Sequence, residues 1–358
     1  MSEDVIISRV ENGLGCLTLN RPKALHSLNK DMCNLMVEAL ESWRDDGRVK
    51  AIWIDHMPET RGFCAGGDIR LLQESGQSDG VEGCAFFHLE YQLNHLLHSY
   101  EELYAKPVIA VIDGVTMGGG VGLSVHGTHR VATERTLFAM PETGIGLFPD
   151  VGGGWFLPRL RGELGTWLAL TGARLKGADV AAARVATHFL PSELIPNLKA
   201  QIAQADFSAG AAEMLGEILS RLSHTVPTGS FEPYMDLIGR CFAHDRAEDI
   251  VAALDADGTE WALEQAKTIR SKSPETVKVA LRQVREGGQC QTFEENMRME
   301  YRIGWRKVQS PDFIEGVRAV IIDKDHNPSW APATLEGVTA EAVDQYFAPL
   351  GDDDLDFG

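Results

Sequence analysis

KPVIAVIDGVTMGGGVGLSVHG, Lys106 to Gly127, is the stretch on which the fold turns. Its apolar run approaches the length of a membrane span. Asp113, the five glycines between 108 and 125, and the preceding Lys-Pro break it instead into a buried strand and a glycine-rich helix start. The same order occurs upstream: the strand AIWI at 51–54 leads into RGFCAGGDIR at 61–70 and then a long amphipathic helix expected from about Ala85 to Leu103. Glycines at a helix start let backbone N–H groups approach a ligand, and the helix dipole favours negative charge there. Neither loop has the spacing of a P-loop or of GxGxxG, so a nucleotide cradle is poorly supported. One N–H from each loop converging on a developing oxyanion fits better, with tight packing as the plain alternative for either loop alone.

Working outward, VIISRV and LGCLTL flank Asn12-Gly13 and predict a hairpin over residues 4–20. Met32, Leu35, Met36, Ala39, Leu40 and Trp43 recur at helical spacing, with Asn29 or Ser27 as the N-cap. Residues 163–189 read as two helices and 195–300 as alanine-rich helices, which divides the chain into a core at 1–190 and a helical region at 191–358.

The 33 basic residues stand against 52 acidic ones, a net charge of −19, with no long basic cluster. This charge balance argues against nucleic acid as a partner, since neutralising phosphates needs a basic surface. The six cysteines show no CxxC spacing and follow no signal peptide, which predicts free thiols, a reducing cytosol and no membrane association.

The stretch MPETGIGLFPDVGGG, Met140 to Gly154, places Glu142 and Asp150 among apolar side chains, prolines and glycines. A capping or salt-bridging acid would explain Glu142, and a turn after Pro149 would explain Asp150. Other chemistries fit less well. GLSVH, Gly122 to His126, resembles a nucleophile elbow on Ser124, but His126 stands where the second glycine must be. His88, His95 and His98 share a helical face without a carboxylate or cysteine to complete a metal set, so no metal is expected. Cys64 has no histidine placed to activate it and reads as a small buried hydrophobe.

Two glycine loops followed by a carboxylate pair carry a resemblance. RGFCAGGDIR, the opening stretch and FAMPETGIGLFPDVGGGWFLPRL are similar to the crotonase superfamily of acyl-coenzyme A enzymes, most of all its 3-hydroxyisobutyryl-CoA hydrolases. The similarity runs through 1–190 and returns in MEYRIGWRKVQSPDFIEGVRAVIIDKDHNPSW, Met299 to Trp330. It implies an α/β fold, a spiral of stacked ββα units with a C-terminal helical region. It also implies that Gly67 and Gly119 supply oxyanion N–H groups, that Glu142 reacts with Asp150 as its partner, and that Glu90 in HLEYQLN lines the acyl pocket. Coenzyme A would lie against Lys23, Ala24, Leu25, Ala65 and Asp68. Hydrolysis of a short 3-hydroxyacyl-CoA in valine breakdown is the implied activity, with coenzyme A as part of the substrate and no further cofactor.

Hydratases of the superfamily use a second glutamate in the glycine loop, where this chain has Gly122. A hydratase or isomerase, and a non-catalytic acyl-CoA-binding protein, stay open as alternatives. So does Glu142 as nucleophile or as general base. Trimers are common in the superfamily, so a homo-oligomer is possible, although a long C-terminal region opposes that packing.

Overall fold

The computed structural model describes residues 4–58 and 60–357, and its chain opens as a tight hairpin. β1 (Ile6–Glu11) and β2 (Leu14–Leu19) pair antiparallel with Glu11 opposite Leu14, leaving Asn12 and Gly13 as the turn. Both take positive φ, 48° and 86°, as the twist of a two-residue hairpin demands.

From there the strands come in pairs that alternate between two sheets. β3 (Ala51–His56), β5 (Val108–Ile112), β7 (His129–Ala132) and β10 (His188–Phe189) extend the hairpin in parallel. The resulting order is β1-β2-β3-β5-β7-β10. β4 (Gly62–Cys64), β6 (Val115–Met117), β8 (Leu137–Ala139) and β9 (Leu175–Lys176) form the second sheet in the order β4-β6-β8-β9. One strand in the large sheet, one in the small sheet, then a helical segment is the repeat that the ββα spiral requires.

Contacts divide the chain into two compact units. The first comprises Met1–Gly67, Gln92–Phe138 and Leu175–Ser230, and the second Asp68–Tyr91, Ala139–Arg174 and Phe231–Gly358. The boundary read at 190 falls inside the last segment of the first unit. The reason is apolar: Leu198, Ile202, Leu215, Ile218 and Leu219, from helices Ile195–Ala203 and Ala211–Leu222, join one cluster with Leu14, Cys16, Trp53, Ile109 and Val111 of the large sheet. In the same unit the helix Lys30–Arg44 is capped by Asn29, whose side chain accepts from Met32 N–H at 3.0 Å. Met32, Met36, Leu40 and Trp43 are buried as the spacing predicts, but Leu35 faces solvent.

Residues 163–189 do hold two helices, Leu164–Thr171 and Ala178–Ala182, but also β9 and β10. A strand of two residues shows no alternation for a sequence reading to find. In the second unit the helices Pro274–Gly287 and Phe293–Lys307 start at side-chain caps, Ser273 on Thr276 N–H and a reciprocal Thr292–Glu295 capping box. These two helices carry Gln283, Asn296 and Glu300. Among the described residues no helix is long and apolar enough to cross a membrane.

Candidate active site

In the first unit the two glycine loops are neighbours. Gly66 and Gly118 take φ of 113° and 46°, conformations that a side chain resists. A Cβ added to Gly66 would lie 3.6 Å from Met117 O and 3.9 Å from Gly119 N. Gly120 must be glycine for a different reason: its Cβ would come within 2.8 Å of the Cys64 Cβ. Gly119 is the first residue of the helix Gly119–Gly122, so its N–H has no intrahelical acceptor. Gly67 sits in an isolated bridge with Leu28, whose N–H donates to Gly66 O at 2.8 Å.

The segment expected to meet coenzyme A lies beside the first of these loops. Lys23 and Ala24 lie in the turn Pro22–Ala24, closed by Leu25 in the left-handed region with φ of 48°. Ala65 N–H donates to Leu25 O at 3.0 Å, so the structure brings Leu25 and Ala65 together. Asp68 belongs to the second unit, where its carbonyl accepts from Leu72 at the start of the helix Ile69–Gly76.

The motifs set aside from the sequence have structural roles. Ser124 Oγ donates to the Gly120 and Val121 carbonyls at 3.0 Å each. His98 packs edge-on against His126, and in the second unit His88 meets Tyr301. Cys64 is buried with its thiol 3.6 Å from Gly66 O.

The second unit gathers carboxylates. Glu90, on the helix Val81–Tyr104, is 1% exposed; Glu142, heading the turn Glu142–Ile145, is 5% and Asp150 4%. Burial pushes Glu142 well above the ordinary carboxylate range, and the Asp150 charge adds to this. Glu90 is raised by burial and then by Asp150; Asp150 is raised by burial and then by Glu300. Tyr91 donates its hydroxyl to Asp150 Oδ2 at 3.2 Å. Glu90 Oε1 and Glu142 Oε2 are buried without a hydrogen-bond partner among the described residues. A desolvated carboxylate oxygen with no partner is costly in the resting protein and suited to meet a ligand.

Three residues that the structure brings to bear on these carboxylates escaped the sequence reading. Tyr91 follows Glu90 directly, and its place on Asp150 depends on a contact 59 positions away. Lys272 faces Glu142: its charge lowers Glu142 against the larger effect of burial, and a Cβ on Gly144 would lie 3.4 Å from Lys272 Nζ. The next residue, Ser273, donates its N–H to Thr143 O at 3.2 Å, which ties the two segments. Glu300 sits within a stretch that carries the family resemblance, but nothing in the spacing links it to Asp150. Burial raises it to about 7 against hydrogen bonds that act the other way.

The chain is similar to known proteins in both sequence and fold. A family model described as enoyl-CoA hydratase/isomerase matches residues 14–347. A mitochondrial 3-hydroxyisobutyryl-CoA hydrolase of Danio rerio is 45% identical over 346 residues, covering 95% of this chain and 88% of the relative. The protein of the same name in Homo sapiens is 45% identical over 362 residues, 99% of this chain and 91% of the relative. Among solved structures, a carnitinyl-CoA dehydratase from Mycobacterium thermoresistibile superposes with a TM-score of 0.91 at 38% identity, covering 99% of both chains. An enoyl-CoA hydratase from Rhodobacter sphaeroides gives 0.89 at 37% identity, over 99% of this chain and 100% of the other.

Proposed function

Because the chain belongs to the enoyl-CoA hydratase/isomerase, or crotonase, family, we propose that it is an acyl-CoA thioester hydrolase that converts 3-hydroxyisobutyryl-CoA and water to 3-hydroxyisobutyrate and coenzyme A. The observation that carries this reading is Glu142: buried, with one carboxylate oxygen unpartnered among the described residues. At the other position that hydration would need, Gly122 has no side chain to act. Water addition across a double bond takes an acid and a base, and this chain supplies one of the two glutamates.

In the mechanism, the Glu142 carboxylate attacks the thioester carbon, and the carbonyl electron pair moves onto oxygen. The N–H groups of Gly67 and Gly119 receive that negative charge. Collapse expels the coenzyme A thiolate and leaves an anhydride on Glu142; water then opens the anhydride, restoring the carboxylate and delivering its proton to the thiolate. Asp150 accepts a hydrogen bond from the 3-hydroxyl, and Glu90 lines the acyl pocket. Lys23, Ala24, Leu25, Ala65 and Asp68 contact coenzyme A. No group beyond the coenzyme A of the substrate enters the reaction.

A direct assay separates the readings. Free thiol released from 3-hydroxyisobutyryl-CoA marks hydrolysis; loss of enoyl absorbance with crotonyl-CoA, without thiol release, would overturn it in favour of the hydratase named by the solved neighbours. Binding without either reaction would leave an acyl-CoA carrier. Hydroxylamine present during turnover traps the anhydride. Hydrolysis that proceeds with no hydroxamate formed, and no enzyme label from oxygen-labelled water, would return Glu142 to the role of general base.

The free thiols fit a reducing compartment, and we place the enzyme there. The curated relatives carry mitochondrial in their names, which does not support the cytosolic setting expected from the sequence.

A further inference from the structure

The turn after Asp150 is bent where side chains resist bending. Val151 takes φ of 52°, a left-handed conformation that its branched Cβ makes costly, and Gly152 continues it at 87°. Gly153 N–H closes the turn on Asp150 O at 2.9 Å. Strain of this kind persists only where neighbouring groups over-determine the conformation.

Those groups converge on Glu300, a fully buried side chain on the helix Phe293–Lys307. Its Oε2 accepts from Gly152 N–H at 2.7 Å. Its Oε1 accepts from Gly154 N–H at 2.8 Å, Asn296 Nδ2 at 2.9 Å and Gln283 Nε2 at 3.1 Å. Gln283 Nε2 also donates to Pro149 O at 2.7 Å, so this cluster grips the chain on both sides of Asp150. A Cβ at Gly154 would come within 2.5 Å of Asn296 Oδ1 and 3.1 Å of Glu300 Oε1, so glycine is what allows the approach. Four donors on two oxygens specify an acceptor-only carboxylate, because an amide would set N–H against N–H. Burying a charge is a poor way to gain stability alone, since well-packed apolar groups usually serve as well.

We infer that Glu300 is a positioning residue: through the Gly152 and Gly154 N–H groups it holds the strained turn and so aims Asp150 at the substrate's 3-hydroxyl. This rests on the proposed hydrolase reading and on the role given there to Asp150. The charge on Glu300 also acts on Asp150 directly, helping to raise its proton affinity.

The test compares kcat/KM for 3-hydroxyisobutyryl-CoA and isobutyryl-CoA in the wild type, Glu300→Gln, Asp150→Ala and the double variant. The wild type should favour the hydroxylated thioester by roughly tenfold to a hundredfold, the usual penalty for leaving a polar pocket group unpaired. Glu300→Gln should remove about tenfold of that preference while isobutyryl-CoA hydrolysis changes by less than about threefold. In the Asp150→Ala background it should remove none. A folded Glu300→Gln that keeps the wild-type preference, or lowers both substrates equally, overturns the inference. Should that variant not fold, Gln283→Ala and Asn296→Ala strip donors while leaving the charge. Each should lower the preference in part, and an unchanged preference in both overturns the inference equally. A wild type that releases thiol from both substrates at one rate would instead sink the assignment of Asp150 itself.

Discussion

In the proposed hydrolase, the glycine loops of the first unit and the carboxylate cluster of the second would serve reactivity by opposite means. Around Gly67 and Gly119 the chain removes side chains so that backbone N–H groups, which every residue but proline possesses, can be presented. Around Glu142 it concentrates four acids, Glu90, Glu142, Asp150 and Glu300, in a water-poor interior where burial raises each above its ordinary range. The first arrangement suits the thioester, common to every acyl-CoA; the second suits what distinguishes one acyl group from another. A backbone donor is indifferent to protonation, whereas the carboxylates are set by their neighbours.

Breaking each region in turn should expose that contrast. The largest effect is expected at Glu142: Glu142→Gln should lower kcat by at least ~10³-fold while an unreactive thioether analogue still binds, because chemistry rather than ground-state contact is lost. Activity within tenfold of wild type would remove Glu142 from the mechanism. Next comes the loop donor. Proline is tolerated at the first position of a helix, which Gly119 occupies, so Gly119→Pro deletes the N–H with little demand on the helix. A fall of about 10²–10³-fold in kcat is expected, equal for hydroxylated and plain acyl thioesters. A loss confined to one acyl group would contradict the division of labour.

The smallest effect sharpens the comparison through pH. Glu142 is raised by burial, so its reactive ionised form grows as pH rises, and Lys272 opposes that rise. Removing the lysine charge in Lys272→Met raises Glu142 further and moves the acidic limb of kcat/KM to higher pH. Asp150 pushes in the same direction as burial, a backbone hydrogen bond pushes the other way, and neither group is substituted in this variant. A loss is expected at pH 6, shrinking as pH increases. Gly119→Pro should leave the shape of the profile alone. Superimposable profiles for Lys272→Met and wild type would show that the cation does not govern Glu142.

Legibility in the sequence followed the same divide. The loops are visible because glycine is conspicuous, and the Asn12-Gly13 turn and the Asn29 cap are local codes that short windows contain. β9 and β10 are not, since two residues carry no period. Leu35 shows the limit of spacing: it fits the helical pattern yet lies just outside the buried stripe. In the site, Glu142 and Asp150 stand out as charges among apolar residues and prolines. Glu300 and Lys272 do not, because each matters through a tertiary neighbour, and a charged residue on an amphipathic helix reads as solvated until the packing is known. Helices Ile195–Ala203 and Ala211–Leu222 were legible as helices, but the sheet they cover was not.

The crowding at Gly154 bears on how such an enzyme can change over time. Gly287 faces the Gly154 carbonyl with even less room than Gly154 leaves beside Asn296. Any other coded residue at Gly287 must push the helix Pro274–Gly287 away from the turn, and one at Gly154 must displace the Asn296 side chain, so few mutational steps pass through this contact. Diversification of acyl preference then has to enter by other routes, such as Glu90 on the helix Val81–Tyr104, the proposed pocket lining, which makes no hydrogen bond to the turn among the described residues. A lineage descending from this chain would be expected to drift in which acyl group it accepts long before it drifts in how Asp150 is held.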